Sequence, residues 1–269
     1  MATEQPSHTT KKGHSAIRVS QATVKALVSA KNVTGTKYHA PPSSKQVHTD
    51  LVNIGTAPTG YPWQTVGKIQ VGWDDNFDLV EWEGSGVLVN RDLILTSSHI
   101  APWGKGGWWM RFAAGFRFGE TPFGWVYVQS YIGYESSSVP AANDYVVCKL
   151  YSDLGDTIGW MGTHWWADDN IYRNGIWSAQ GYPTQLPIAA TNIQIEQVED
   201  ANDQDKLLLT IEFAELAWTG GPLWSGGPDG TTNPLVVGVF SADANGYSQF
   251  AGGENMVNLV VYGIEFWEG

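Results

Sequence analysis

Cysteine is nearly absent. Cys148 stands alone among 269 residues, so no disulfide forms within the chain and the fold must rest on packing and hydrogen bonds. Long apolar runs are missing too: no stretch approaches the ~18 residues of a membrane-spanning helix, which excludes a helical span. The opening residues, MATEQPSHTTKKGHS, lack the apolar core of a secretion signal. A chain without a signal peptide is therefore expected, a pattern that suits the cytosol and equally a secreted protein whose signal has been removed. Repeats of 20–50 residues are absent, which excludes solenoids and propellers. Positive charge is scarce, with 15 Lys and Arg against 27 acids and a net charge of −12.

That charge is unevenly spread. Residues 1–50 hold seven Lys/Arg and two acids, whereas residues 51–269 hold eight and 25. An acidic body repels phosphate backbones, so nucleic acid is not an expected partner. Residues 1–55 are polar and basic and are expected as a tail or pro-segment. Within them Ile17, Val24, Leu27 and Val28 fall on one side of a helix, which predicts a short one inside Ala16–Ala30. Because the segment is opposite in charge to the body and poor in large apolar residues, removing residues 1–50 is expected to leave the fold intact. Asn32-Val33-Thr34 matches a glycosylation acceptor, a triplet common by chance.

What is abundant is glycine (31 residues) and tryptophan (14), the composition of short strands joined by tight turns. From Tyr61 on, short apolar runs bounded by Gly, Asn or Asp follow one another: Thr65–Gly72, Gly84–Asn90, Leu93–Ser97, Trp108–Phe116, Trp125–Tyr131, Tyr145–Leu150, Ile176–Gly181, Ile193–Val198, Lys206–Phe213, Leu235–Phe240 and Ser248–Ala251. This density predicts an all-β sandwich or barrel, with a terminal helix in Asn255–Glu268. Asp74–Asp78 is acidic but lacks the glycine and closing Glu of a calcium loop. His164-Trp165-Trp166 has no metal-ligand spacing around it. No metal or cofactor is expected.

Three stretches carry chemistry. Gly84-Ser85-Gly86-Val87-Leu88-Val89 leads through a polar turn to Leu93-Ile94-Leu95-Thr96-Ser97-Ser98-His99. Asn143-Asp144 opens the apolar run Tyr145–Leu150. Thr219-Gly220-Gly221-Pro222-Leu223 precedes Val236–Ser241. These resemble, in order, the histidine, aspartate and nucleophile blocks of trypsin-like serine peptidases, over about residues 61–265. The absence of disulfides and Gly181-Tyr182-Pro183 are similar to the glutamyl-endopeptidase-like branch. The resemblance implies two packed antiparallel β-barrels of chymotrypsin type, residues 56–155 and 156–269, with the site between them.

It also implies roles. His99 is the general base and then acid, Asp144 orients it, and Thr219 stands where the family has its nucleophilic serine. The oxyanion hole falls to the backbone N–H groups of Ala217 and Thr219, with Ala217 replacing a glycine. Trp218 replaces the Asp or Asn that usually precedes the nucleophile. Phe213, six residues before it, and Phe240 fall in the specificity pocket, and Ser241 supports Asp144 and meets the substrate backbone. Neither a trypsin-like Asp nor a glutamyl-specific His is present at these pocket positions, so the pocket is expected to be apolar or partly filled. Three readings follow: an endopeptidase acting through Thr219, a pseudopeptidase that binds peptides or a protein without cutting, and, on tryptophan content alone, a carbohydrate-binding or structural β protein. The expected partner is a peptide or protein substrate, with no nucleic acid or membrane, and the chain is expected to be a monomer.

Overall fold

Alternation of side chains decides how the runs fold. In Trp82–Leu88, Gly84, Gly86 and Leu88 turn to one face and Ser85 and Val87 to the other, and both faces are buried, so the segment reads as a strand between two packed layers. The computed structural model describes residues 12–28, 34–41, 59–134, 142–183, 187–202, 204–211, 218–225 and 234–268. Its first half holds β1 (Ser15–Val19), α1 (Gln21–Val28), β2 (Val66–Gly72), β3 (Trp82–Leu88), β4 (Leu93–Thr96), β5 (Trp109–Ala114), β6 (Val126–Tyr134) and β7 (Val146–Leu150). The second holds α2 (Leu154–Ile158), β8 (Gly162–Thr163), α3 (Asp169–Asn174), β9 (Trp177–Gly181), β10 (Ile188–Ile193), β11 (Gln197–Asn202), β12 (Asp205–Ile211), β13 (Pro222–Ser225), β14 (Leu235–Ala244), β15 (Tyr247–Gly252) and α4 (Glu254–Glu268).

In the first sheet β6, β5, β2, β3, β4 and β7 pair antiparallel in that order, and β7 pairs back onto β6. Closure pairs each of these six strands on both sides, apart from the stretch of β6 beyond its short pairing with β5. The barrel is filled by Ile69, Leu88, Ile94, Phe112, Tyr131 and Cys148. The second sheet runs β10-β9-β13-β14-β15-β12-β11, with β8 added parallel to β14. Its own core gathers Trp177, Leu208, Trp218, Phe240 and Phe250. A third cluster joins the halves: Val87 and Trp63 meet Tyr182 and Trp224, and the inner face of α4 completes it with Met256, Leu259 and Val260. This is an all-β architecture of the expected chymotrypsin type: of the two expected barrels the first is closed, the other half forms the second sheet, and the expected helix stands at the C-terminal side.

Part of the basic N-terminal segment, expected as a tail, is built into the fold. β1 pairs parallel with β6, Ser15 to Val19 opposite Ser130 to Tyr134, taking the β6 edge where β5 leaves off. The predicted helix forms at α1 and buries Val24 and Val28 against α4. Gly35 and His39 then bridge to His164 and Trp160. The earlier half of the predicted helical window is a strand because Ile17 and Val19, two residues apart, share its inward face while Ala16 and Arg18 are exposed, and the β6 edge offers backbone partners that a helix there would forgo. The Ile193–Val198 run is likewise not one strand: it holds the end of β10, the connection 194–196 and the start of β11, and Asn192, in the left-handed region (φ 56°), sits at the irregularity in the β10 register. Asn32 and Val33 of the glycosylation triplet lie outside the described residues.

Candidate active site

β4 delivers His99. Its four residues are fully buried, and the chain then takes one tight turn, Ser98–Ile100, between two extended residues. Ile100 anchors that turn in the barrel core. Small residues precede His99 for a steric reason: Thr96 Oγ1 donates to the Ser85 carbonyl at 2.7 Å, and Ser97 and Ser98 are completely buried, where larger side chains would not fit.

Asp144 lies at the start of β7, buried to 0%, and β7 is the hydrogen-bonded neighbour of β4. Its Oδ1 accepts the His99 backbone N–H at 2.9 Å and its Oδ2 accepts His99 Nδ1–H at 2.6 Å. Ser241 Oγ on β14 donates to the same Oδ2 at 2.7 Å. A buried carboxylate must be compensated, and three donors do so here. The arrangement fixes the tautomer: with the proton on Nδ1, Nε2 carries the lone pair. The His99 side chain is 29% exposed, so that nitrogen belongs to a group solvent and substrate can reach.

Thr219 sits in a four-residue turn closed by Gly221 N–H to the Trp218 carbonyl at 2.7 Å. Gly220 occupies the third position at φ +79°, the geometry that asks for glycine there. A Cβ on Gly220 would also run into Thr96 Oγ1 and the Ser85 carbonyl. The turn is tied to both halves. Ser85 N–H donates to the Thr219 carbonyl at 2.7 Å, Gly220 N–H to the Phe240 carbonyl at 2.8 Å, and Phe240 N–H to the Gly221 carbonyl at 2.8 Å. Thr219 is thus held between β3 and β14, the strand of Ser85 and the strand of Ser241. No hydrogen bond joins the Thr219 hydroxyl to His99 among the described residues, and none of them accepts the Thr219 backbone N–H.

The remaining expected residues divide. Phe240 is 3% exposed and packs edge-on against Phe250 at 5.6 Å: its side chain is core, and its backbone braces the Thr219 turn. Phe213 and Ala217 lie outside the described residues. Three further residues contribute that the sequence reading gave no role at the site. Ser85 Oγ accepts the Tyr182 N–H at 2.9 Å while its backbone holds Thr219. Tyr182 OH donates to the Val66 carbonyl at 3.0 Å, and burial pushes this phenol above its ordinary range, so it stays a donor. Trp103 Nε1 donates to the Ser98 carbonyl at 2.8 Å, one residue from His99.

No protein-family profile matches the sequence, and no curated protein matches it either. Solved structures do. The chain is similar to the protease Anisep from Arthrobacter nicotinovorans, at 17% identity and TM-score 0.57, over 75% of this chain and 94% of that one. It is similar to a Glu endopeptidase in complex with MPD, at 14% identity and TM-score 0.60, over 83% and 99%. It is also similar to the thermostable serine protease AL20 from an extremophilic microorganism, at 14% and 0.57, over 74% and 97%. The fold is that of the trypsin-like, chymotrypsin-type serine proteases, a Glu endopeptidase among them.

Proposed function

We propose that this protein is an endopeptidase of the serine-protease type in which Thr219 supplies the attacking hydroxyl. The observation that carries the reading is the fully compensated Asp144, which accepts from His99 N, His99 Nδ1 and Ser241 Oγ and leaves His99 Nε2 as a free base. In the reaction His99 Nε2 takes the Thr219 hydroxyl proton as the oxygen attacks the peptide carbonyl carbon. The Thr219 N–H, which none of the described residues accepts, donates to the resulting oxyanion. The C–N bond then breaks as His99 returns the proton to the leaving amine, and water repeats the sequence on the ester. The substrate is a peptide or protein.

A second reading, a pseudopeptidase that binds a peptide or protein partner, is favoured by one observation: the Thr219 hydroxyl and His99 share no hydrogen bond. The methyl of threonine restricts χ1, and a misplacement of about 1 Å in such a site costs about a hundredfold. A serine-directed fluorophosphonate and a peptide library separate the two. Labelling and cleavage by the chain, lost in Thr219→Ala and in His99→Ala, support the peptidase. Absence of both in the chain and in Thr219→Ser, with retained peptide binding, establishes the binding module.

A further inference from the structure

The N-terminal unit reaches the candidate site at two points. Arg18 on β1 faces Gly133 on β6 in the parallel register, and the Trp103 indole lies over that pair. A Cβ on Gly133 would stand 2.9 Å from the indole, and the Arg18 guanidinium stacks on it 3.5 Å from the ring centroid. Arg18 also donates to the Tyr134 carbonyl at 2.5 Å, which fixes the guanidinium in place. The clamped indole donates to the Ser98 carbonyl at 2.8 Å. Ser98 and His99 share one tight turn, so the orientation of Trp103 is passed to the histidine backbone.

The second bridge runs to the aspartate. Gln21 at the start of α1 donates through Nε2 to Asp205 Oδ2 at 3.3 Å. Asp205 is 1% exposed, and its Oδ1 accepts from Tyr145 OH at 2.6 Å and from Asn255 Nδ2 at 3.1 Å. No cation pairs with it among the described residues, so neutral donors alone compensate a buried carboxylate, and losing one leaves an oxygen unsatisfied. Burial, and then the nearby Asp205 charge, push the Tyr145 phenol well above its ordinary value, so its hydroxyl remains protonated and donating. Tyr145 directly follows Asp144 in the chain.

We propose that the N-terminal strand and helix, residues 15–28, form a positioning element for the His99–Asp144 pair, with Arg18 and Gln21 as its two positioning residues. This rests on the proposed role of that pair in peptide hydrolysis. One arm acts through Trp103 and Ser98 on the base, the other through Asp205 and Tyr145 on its orienter. The two arms are independent in chemistry, a cation on an aromatic face and a neutral amide on a carboxylate.

Full-length variants Arg18→Ala, Gln21→Leu and the double variant test this, read by thermal melting, by the ¹H–¹³C signal of the His99 imidazole, and by kcat and KM on a cleaved peptide. In the double variant, with a cooperative transition retained, the His99 signal shifts and broadens. The value of kcat falls about tenfold or more with KM little changed, because a small misplacement of the base acts on the transition state. Arg18→Lys, which keeps charge without the planar stack, shows the same His99 change in weaker form. Val24→Ala loosens α1 on α4 without touching either bridge; it lowers the melting temperature and leaves the His99 signal in place. The proposal is overturned by an unchanged His99 signal in the folded double variant, or by an equal change in Val24→Ala. If the double variant does not fold, Trp103→Phe decides: it keeps a ring beneath Arg18 and removes the N–H to Ser98, and an unmoved His99 signal there overturns the first arm. The imidazole signal needs no turnover, so a chain that cuts nothing refutes the peptidase reading while leaving this test able to run.

Discussion

At the scale of single residues, the candidate site turns on one methyl group. Thr219 keeps the hydroxyl of a serine and adds a methyl branch at a turn that backbone hydrogen bonds to Ser85 and Phe240 hold in place. Overpacking of this kind costs about 1–3 kcal/mol. Thr219→Ser is therefore expected to raise peptide hydrolysis by about tenfold or more, measured as kcat/KM on one peptide. An equal or lower rate would mean that the threonine is adapted to its setting. Asp144→Asn keeps the volume of the side chain but, by pairing with the wrong tautomer of His99, is expected to lower kcat by about ten-thousandfold with the fold intact. Gly220→Ala is a different kind of change. It forces a side chain into the left-handed region, at about 1–2 kcal/mol, and into two oxygens. Loss of activity and a lower melting temperature are expected together.

At the scale of elements, the strands of the first barrel and their neighbours were legible because each is a short apolar run ended by Gly, Asn or Asp. The His99 and Asp144 segments were legible for the same reason plus their polar end residues, and Ser241 was expected at the aspartate and donates to it at 2.7 Å. Other elements left little trace. β8 is two residues long and β13 four, too short for alternation to register. β11 is polar along most of its length and is a strand because β12 supplies its hydrogen bonds, Gln197 opposite Leu209 onward. The strand β1 and the docking of α1 left little trace for a more instructive reason. Its charge and hydrophilicity describe its outer face, while Val19, Val24 and Val28 are the few residues facing inward. A segment needs few apolar residues when it docks on a core built by others. Removal of residues 1–28 is accordingly expected to lower the melting midpoint by about 5–15 °C, since each buried valine contributes up to about 1.5–3 kcal/mol. The exposure of Cys148 to a thiol reagent gives a second readout, because it is buried in the barrel core on β7, opposite Tyr131 of β6, and burial raises its thiol above the ordinary range.

At the scale of the whole molecule, charge is separated: a basic head on an acidic body, touching at pairs such as Lys12 with Asp75 at 2.6 Å. The net charge of −12 spreads a negative potential around the cleft and favours the approach of cationic peptides. A lysine-rich substrate is expected to show a higher kcat/KM than its glutamate-rich counterpart at ~0.01 M salt, where the screening length is ~30 Å, and the gap is expected to close towards ~1 M, where it is ~3 Å. A gap that ignores salt would point to a local pocket contact instead. The packing of α1 on α4 bears on the order of events during synthesis. These helices lie at opposite ends of the described chain, and a contact of such long range forms late. As the chain emerges, β1 and α1 appear first; β1 has its partner once β6 exists, whereas α1 has nothing to dock on until α4 is made. The barrel with His99 and Asp144 can assemble earlier, while the docking of α1 on α4 and the arrival of β14 with Ser241 are still to come. On the proposed reading, a nascent chain of this design stays inactive until its last strands are made, because only β14 brings Ser241 to Asp144 and braces the Thr219 turn.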